Sequence, residues 1–361
     1  METFPSERFI FLVGNGNVSI LHHMAVTIRD VAREAGVAIG TVSRVFNNSG
    51  PVKASTRKRV EEAARRLGYV PHGAARSLIT RRTQTLGVLL PDLYGEFYSE
   101  LIRGLDQQAR QWGYHLLVSG MHADAREMRA LVRAMRGRVD GLILMGPHLE
   151  SALLAEYLPS GVPVVLIGNR ADFPCDTVRV DNVAGARMAV AHLIQLGHQR
   201  IALLSGPLTN QEARERREGY RQALQEAGLA LLPMLELEGD FTEASGYGLG
   251  QKLLSRRPTA VFVSNDAMAI GLLRWLHEAG VRVPEQLALV AFDDIPMARY
   301  TRPALTTVHS PIYELGARAI DQLLQALSDG AQHVPQEVVL PVHLVVRESC
   351  GAGQDRFRPI P

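Results

Sequence analysis

Short apolar runs alternate with amphipathic segments along the chain from residue 84 onward. The runs at 85–92 (TLGVLLPD), 115–120 (HLLVSG) and 139–146 (VDGLILMG) have the length and continuous apolar character of buried strands. The segments between them, 96–114 and 125–138, carry apolar residues at helical spacing. This order of strands and helices predicts a parallel sheet covered by helices.

The same alternation is repeated in the second half of the chain. It predicts four further strands, at 162–168, 200–206, 260–265 and 287–294. It also predicts four further helices, at 183–198, 216–228, 244–256 and 266–280. The pattern therefore predicts two similar open α/β lobes, at about 84–181 and 182–309.

The last part of the sequence adds a few more elements. A tail at 310–350 contains a predicted helix at 312–327 and a predicted strand near 337–346, and 351–361 follow as a terminal tail. We expect the 310–350 segment to cross between the two lobes.

The pattern of residues 25–71 predicts three short helices, the third of which is closed by Gly68 as a stop signal and by Pro71 beyond it. Three positions fit the constraints of a helix-turn-helix. Ala32 is small where the two helices would touch, Gly36 suits a left-handed turn, and Val42 would be buried under the first helix. An ordinary small α-hairpin is the alternative.

Charge separates this head from the rest of the chain. Residues 25–83 hold 12 Lys and Arg against 4 Asp and Glu, whereas the whole chain has a net charge of only +2. A basic head on an acidic body predicts a polyanionic partner for the head alone.

The second helix of the head begins with small residues, which would let its N-terminus approach DNA closely. The side chains expected at the major groove or its phosphates are Ile39, Gly40, Thr41, Ser43 and Arg44. Arg44 could pair with a guanine edge or contact only a phosphate. On the third helix, Lys53, Thr56, Arg57 and Lys58 would meet phosphates, or would simply form a solvated face.

Two stretches of the head resemble one known family. VTIRDVAREAGVAIGTVSRVFN, followed by VKASTRKRVEEAARRLGYVPHGAARSL, closely resembles the lactose/galactose-repressor (LacI/GalR) family, and the resemblance extends over about 25–350. It implies an N-terminal helix-turn-helix head, a hinge helix and a periplasmic-binding-protein-like sensor of two open parallel-sheet lobes. It also implies a homodimeric bacterial transcription regulator that binds palindromic operator DNA.

The resemblance assigns roles to further residues. Residues 72–83 would hold the hinge helix, in which Leu78 would wedge between base steps in the minor groove and Ala75 would let two hinges touch. The other expected DNA contacts are Thr27, Asn47, Tyr69 and His72. Ala38 departs from the pattern, because the family usually has Ser or a similar capping residue there. Specificity would then depend more on Arg44, the hinge and DNA shape.

Polar and aromatic residues follow the predicted strands of the two lobes, at the edge where a doubly wound sheet binds ligands. The candidate effector contacts are Asp92, Phe97, Tyr98, Asn169, Arg170, Arg216, Phe241, Asn265 and Asp293. The resemblance supports Arg216, Asn265 and Asp293 as polar contacts and Phe97 and Phe241 as packing contacts. The alternatives are a surface arginine for Arg216, a helix N-cap for Asp293 and plain core positions for the two phenylalanines.

Asp, Asn and Arg beside aromatic rings suit a sugar as the effector. Arg170 and Arg216 together would also suit a sugar acid or a sugar phosphate, and a nucleoside fits less well. A free sugar-binding transport protein is the competing class, but it would leave the basic helix-turn-helix without a role.

Other classes of protein fit poorly. Only two cysteines occur, no Cys/His spacing suits a metal, and GNGN at 14–17 follows no strand, so we expect no enzyme, metal or cofactor. The apolar run at 9–13 is too short for an export signal or a membrane span, so we expect a cytoplasmic protein. Residues 1–24 would be a disordered extension, or the true start would be Met24, with 1–23 upstream of it. The C-terminus lacks a leucine heptad, which favours a dimer over a tetramer.

Overall fold

A computed structural model of the chain describes residues 13–14, 17–18, 26–47, 50–69, 82–121, 125–146, 161–169 and 173–352. The chain divides into two compact units, 1–81 and 82–361. No helix among the described segments is both long enough and apolar enough to cross a membrane.

The first unit is built on three helices, α1 (Ile28–Glu34), α2 (Ile39–Asn47) and α3 (Ala54–Leu67). The predicted helix-turn-helix is confirmed in its geometry, because Gly36 has a φ of +61° between α1 and α2. Val42 is completely buried. The core of this unit consists of small and β-branched side chains, namely Val31, Ala32, Ala35, Val42, Val45, Val60, Ala63 and Ala64.

Two very short strands precede the helices. β1 (Val13–Gly14) pairs antiparallel with β2 (Asn17–Val18). Both lie in the segment that we predicted as a disordered extension, so four of its residues have regular backbone structure. The rest of that segment lies outside the described residues.

The second unit contains two six-stranded sheets, one in each lobe. The first sheet is entirely parallel, and its strands in spatial order are β13 (Glu337–Leu340), β7 (Asp176–Val180), β6 (Val164–Ile167), β5 (Gly141–Leu144), β3 (Thr85–Leu90) and β4 (His115–Gly120). In the second sheet β14 alone runs antiparallel to its neighbour, and the order is β14 (His343–Val345), β12 (Thr306–His309), β11 (Ala288–Asp293), β10 (Ala260–Val263), β8 (Ile201–Ser205) and β9 (Glu236–Glu238). Both lobes thus contain the open, mainly parallel sheet predicted from the sequence, with β14 as one antiparallel edge strand.

Helices connect these strands. In chain order they are α4 (Glu96–Gln111), α5 (Ala125–Met135), α6 (Asn182–Gln195), α7 (Gln211–Glu226), α8 (Glu243–Gly248), α9 (Gly250–Leu254), α10 (Asp266–Glu278) and α11 (Ile312–Asp329), with 3₁₀ turns at Pro233–Leu235, Pro296–Arg299 and Gly330–Gln332. The segment predicted as one helix at 244–256 is divided into α8 and α9 at Leu249.

The tail connects the two lobes. Helix α11 packs against α4 and the first sheet, where Gly104 of α4 lies so close that a Cβ would be 2.1 Å from the Tyr313 carbonyl oxygen. The single strand predicted near 337–346 is two strands, because β13 joins the first sheet and β14 joins the second. Between them the chain crosses at Pro341 and Val342, and Pro341 supplies no N–H for a continuous ladder.

The sequence pattern missed three strands, β7, β9 and β12. Each contains polar residues with partners elsewhere in the fold. In β7, for example, Asp176 Oδ2 lies 2.7 Å from His333 Nε2, and Arg179 Nε donates to Glu337 over 2.6 Å. These pairings allow polar side chains to be buried in a strand. The polar side chains also interrupt the apolar run by which a strand is predicted from the sequence.

Candidate functional site

Helix α2 presents one face to solvent. Val42 and Val45 point into the core of the head, whereas Ile39, Gly40 and Arg44 are exposed, and the side chain of Ile39 keeps 46% of its surface accessible. Thr41 and Ser43 are half-buried. The residues that we predicted at the major groove therefore lie on or beside the accessible face.

The N-terminus of α2 has no side-chain cap. The Ala38 carbonyl accepts from the backbone N–H of Thr41 over 2.9 Å and of Val42 over 3.3 Å, which makes Ala38 the N-cap residue. Alanine cannot accept from the first N–H groups of the helix. Those groups are therefore available to an anion such as a DNA phosphate.

Replacing Ala38 by serine should stabilise the head by about 0.5–2 kcal/mol, because a hydroxyl would satisfy one open N–H group of α2. The measurement is the free energy of unfolding of the head by urea, followed by far-ultraviolet circular dichroism. Ala54→Ser, at the exposed first position of α3, is the matched control and should change little. Equal effects of the two substitutions would contradict a specific cap.

Several other predicted DNA contacts already have partners within the head. Asn47 Nδ2 donates to Ser43 Oγ over 3.1 Å, and Arg57 Nη1 donates to the Val45 carbonyl over 3.0 Å. The Thr27 hydroxyl donates to Asp30 over 2.7 Å. These bonds position the side chains on α1, α2 and α3 without filling their full hydrogen-bonding capacity.

The remaining predicted DNA contacts fall into two groups. Lys53 is exposed immediately before α3, Thr56 is half-buried in its first turn, and the Tyr69 ring packs 5.7 Å from that of Phe46. The structure does not describe three of the predicted residues, which are His72, Ala75 and the predicted wedge Leu78.

In the second unit, the carboxyl ends of strands from both sheets approach each other, and we call the region between the lobes there the cleft. The first lobe contributes Gly168 and Asn169 after β6, and the second contributes Ser264 after β10 and Asp293 at the end of β11. This is the edge at which doubly wound sheets bind ligands. Arg170, which follows Asn169, is outside the part of the chain that the structure describes.

Arg216 of α7 is the central charged residue of the cleft. It is only 4% exposed, so the alternative of a surface arginine is wrong. Its Nε donates to Asn182 over 2.8 Å and its Nη1 donates to the Ser264 carbonyl. The guanidinium also lies 3.9 Å from the centre of the Phe292 ring. These contacts fix the guanidinium in one orientation.

Asp293 is paired with this arginine, because its Oδ1 lies 3.3 Å from Arg216 Nη1. No helix begins at Asp293, so the N-cap alternative is wrong. Its φ of 114° is unusual for a residue with a side chain, and such strain is common at binding sites. Burial raises the pKa of Asp293 to about 6, although Arg216 lowers it.

Two buried polar atoms near this pair have spare capacity. Asp293 Oδ1 and Ser264 Oγ form no well-directed hydrogen bond with the described part of the protein. Buried polar groups usually have partners. These atoms are therefore positioned to bind polar groups of a ligand.

Asn265 and Phe241 form one unit in the second lobe. Asn265 caps α10, because its Oδ1 accepts from the Met268 N–H over 3.0 Å, and its Nδ2 donates to the Phe241 carbonyl over 3.0 Å. The Phe241 backbone has a φ of 70°. Its ring lies directly over Gly206, where a Cβ would be 2.2 Å from the ring. Asn265 thus orients the aromatic ring as well as the start of α10.

The first lobe contributes a second aromatic group. The rings of Phe97 and Tyr98 pack edge to face 5.4 Å apart, and both are half-buried. Burial raises the pKa of Tyr98, and the carboxyls of Glu212, Asp92 and Asp293 raise it further. Tyr98 therefore lies near carboxyl groups of both lobes.

Two other predicted residues of the first lobe are held by local bonds. The exposed Asp92 accepts from the N–H of Leu93 over 2.6 Å and of Tyr94 over 3.0 Å, which fixes the loop before α4. The buried Asn169 donates from Nδ2 to the Gly146 carbonyl. Its carbonyl oxygen is left to accept from another group.

The sequence analysis missed Glu212, which lies in the first turn of α7, one helical turn before Arg216. A Cβ on Gly168 of the opposite lobe would be 2.9 Å from Glu212 Oε1. Burial raises the pKa of Glu212 to about 7, with Arg216 lowering it and Asp293 and Glu215 raising it. Its i, i+4 spacing from Arg216 was the available signal.

A second contact joins the two lobes. Glu96 of α4 accepts from the N–H of Met297, in the 3₁₀ turn of the second lobe, over 2.8 Å. The buried side chain of Asp266, near Asp293, accepts from the Ile295 N–H over 2.8 Å and from the Thr307 hydroxyl over 2.6 Å. The described residues include no cluster of acidic, His or Cys side chains suited to a metal ion.

Two family models match the chain. Residues 27–72 match the model for bacterial regulatory proteins of the lacI family, and residues 190–350 match a periplasmic binding protein-like domain. The first match covers α1 to α3, and the second covers most of the second lobe and the tail.

Relatives match over nearly the whole chain. The ribose operon repressor of Escherichia coli (strain K12) is 39% identical over 307 residues, which cover 84% of this chain and 93% of the repressor. Catabolite control protein A of Priestia megaterium is 38% identical over 332 residues, or 90% of this chain and 99% of that protein.

Solved structures give the same picture. A lac repressor dimer bound to operator and the anti-inducer ONPF is similar with a TM-score of 0.82, at 34% identity over 90% of this chain and 99% of the repressor. A complex of the transcriptional regulator CelR with cellobiose has a TM-score of 0.70, at 35% identity and the same coverage.

Proposed function

This chain belongs to the lacI family of bacterial regulatory proteins, and from that premise we propose that it is a repressor whose operator binding is controlled by a sugar. The family makes it a DNA-binding transcription regulator and not an enzyme. The observation that carries the proposal is the pair of buried acceptors, Asp293 Oδ1 and Ser264 Oγ, left open beside Arg216 in the cleft. Hydroxyl groups of a sugar are donors that match such acceptors.

The head would bind operator DNA through α2. Arg44 and Ile39 would contact base edges, while Thr41, Ser43, Asn47 and the open N-terminus of α2 would contact bases or phosphates. Further phosphate and groove contacts come from α1, α3 and the following segment, namely Thr27, Lys53, Thr56, Arg57, Lys58, Tyr69 and His72. Gly40 lets the helix approach the groove.

Two copies would bind a palindromic operator, as the lac repressor dimer does with its operator. Ala75 and Leu78 of each copy would form the paired hinge, with Leu78 wedged between base steps. DNA binding of this kind takes place in the cytoplasm, at the chromosome.

The sugar would lie between the lobes. Phe97, Tyr98 and Phe241 would pack against its apolar face, while Asp92, Asn169, Arg170, Arg216, Asn265 and Asp293 would form or support the polar contacts. The ribose operon repressor and the CelR–cellobiose complex support a sugar as the ligand class.

Binding would favour the closed arrangement of the lobes. Three crossovers join them, after β7, after β12 and between β13 and β14, and closure would change the geometry at these points. Because cleft and operator would then bias the same equilibrium, each ligand would change the affinity for the other by the same factor.

The test uses the full-length protein to select binding sites from a random pool of DNA duplexes. We expect a palindromic sequence, and a complex of two chains per duplex by light scattering. D-Ribose and cellobiose are then titrated against the complex, and a matching sugar should change the operator Kd at least fivefold. Absence of any selected sequence would contradict the DNA-binding part, and a non-palindromic site bound by one chain would contradict the dimer.

A further inference from the structure

Glu212 places a carboxylate directly against the opposite lobe. Its Oε1 occupies space that a side chain at Gly168 would need, since a Cβ there would be 2.9 Å from Oε1 and 3.1 Å from the carboxyl carbon. The two residues belong to different sheets, because Gly168 follows β6 and Glu212 opens α7 after β8. The carboxylate is therefore part of the wall that a ligand between the lobes must face.

The cation beside these acids is already engaged. Arg216 donates to Asn182 and to the Ser264 carbonyl, pairs with Asp293 and stacks on Phe292. Its positive charge acts on both Asp293 and Glu212, so two carboxyl groups share this one cation. Among the described residues, the cleft is thus richer in acceptors and negative charge than in donors.

A buried acceptor points to the same kind of ligand. Asp293 is 4% exposed, and its Oδ1 accepts no well-directed hydrogen bond from the described chain. A hydroxyl or ammonium group can donate to this oxygen, whereas an ionised carboxylate or a fully ionised phosphate group has no proton to donate.

We propose that Glu212 is the specificity-determining residue of the cleft, which selects uncharged or cationic polyhydroxyl ligands and excludes sugar acids and sugar phosphates. This inference rests on the proposed function, because it assumes a sugar between the lobes. It decides between the sugar classes that the sequence alone left open.

The charge of Glu212 gives the selectivity a dependence on pH. Among the residues that the structure describes, the charged or titratable groups that act on it are Arg216 and Glu215 on its own helix, Asp293 on β11 and Tyr98 of the first lobe. Burial raises its pKa to about 7, so the carboxyl is neutral at pH 5.5 and charged at pH 8.5. Repulsion of an anionic ligand should therefore grow as the pH rises through 7, with Asp293 contributing near pH 6.

The experiment is calorimetric titration of the full-length protein with matched ligands. The probes are D-ribose, D-ribonate and D-ribose 5-phosphate, and D-glucose, D-gluconate and D-glucosamine. We expect each uncharged parent or amino sugar that binds to do so roughly 10- to 100-fold more tightly than its anionic derivative at pH 8.5. D-Ribonate and D-gluconate keep a constant charge from pH 5.5 to 8.5, so they isolate the titration of the protein.

Glu212→Gln keeps the shape of the side chain and removes its charge. We expect it to reduce the discrimination at pH 8.5 at least fivefold and to leave little pH dependence above pH 7. Glu218→Gln is the matched control, because Glu218 is exposed on the same helix. The pH dependence of the wild-type protein tests the same point should the variant fail to fold.

The outcomes separate this inference from the proposed function. A sugar acid or sugar phosphate that binds more tightly than its uncharged parent sugar would overturn the role of Glu212. It would not contradict the proposal that a small-molecule effector binds between the lobes. Equal discrimination by wild-type protein and Glu212→Gln would do the same. Silence of all six probes would overturn the inference together with a pentose or hexose effector, while operator selection would still report the DNA-binding part.

Discussion

Replacing Arg216 by alanine is expected to lower the free energy of unfolding of the second unit by about 3–5 kcal/mol and to abolish the response to any cleft ligand. The large effect follows from burial, since Arg216 and Asp293 are each 4% exposed. Without the guanidinium, the Asp293 carboxylate would remain buried with no opposite charge. The Ser264 carbonyl and Asn182 would also lose their donor.

The measurement is urea unfolding of the second unit, paired with the operator Kd at rising sugar concentration. Arg217→Ala is the matched control, because this neighbour is half-exposed and shares Glu236 with Arg221. It should cost less than about 1 kcal/mol. Adding Asp293→Asn to Arg216→Ala should recover part of the stability. If Arg216→Ala lowered the free energy of unfolding no more than Arg217→Ala does, the buried pair of Arg216 and Asp293 would not stabilise the second unit as we describe.

Replacing Val42 by aspartate is expected to abolish specific operator binding, with a loss of at least about a thousandfold. Val42 has no accessible surface, and it packs in a small core with Val31, Ala32 and Val60. An unpaired carboxylate there costs several kcal/mol. A head of three short helices has little stability to lose. The second unit should keep its own stability, because it is a separate compact body.

Operator binding by fluorescence anisotropy and separate melting of the two units check this expectation. Val334→Asp is the matched control, because Val334 lies on the second unit with 72% of its surface exposed. Val42→Thr, which has nearly the same shape, should fall between the wild-type protein and the aspartate variant. Retained operator affinity in Val42→Asp would mean that α2 does not need this core to present its DNA-binding face.

The charge distribution in the cleft also changes which class of sugar we expect as the ligand. Arg216 and Arg170 together suggested that acidic sugars could bind, because a sequence reveals a charge but not its partners. In the structure the Arg216 guanidinium is directed at Asp293, Asn182 and the Ser264 carbonyl. A cation that is already paired contributes much less to binding an anion.

Local sequence patterns determined the helix-turn-helix and the two mainly parallel sheets of this protein. Gly36 had to adopt a left-handed backbone and Val42 had to be buried, since a helix-turn-helix allows few alternatives at these positions. The apolar runs of β3, β5, β8 and β10 predicted two parallel sheets for the same reason, because a strand covered on both faces must be apolar throughout. The family resemblance followed from these local constraints, and the comparisons confirmed it.

Tertiary structure alone decided where polar residues could be buried. Strand β12 is concealed in the sequence by Thr306 and Thr307, and Thr307 is accommodated by Asp266, 41 residues away. Glu212 likewise became a cleft residue only when Gly168 of the other lobe left room for it. A polar group can be buried when a partner or a space is provided. That provision comes from residues distant in the chain, so no local pattern of hydrophobic and polar positions can contain it.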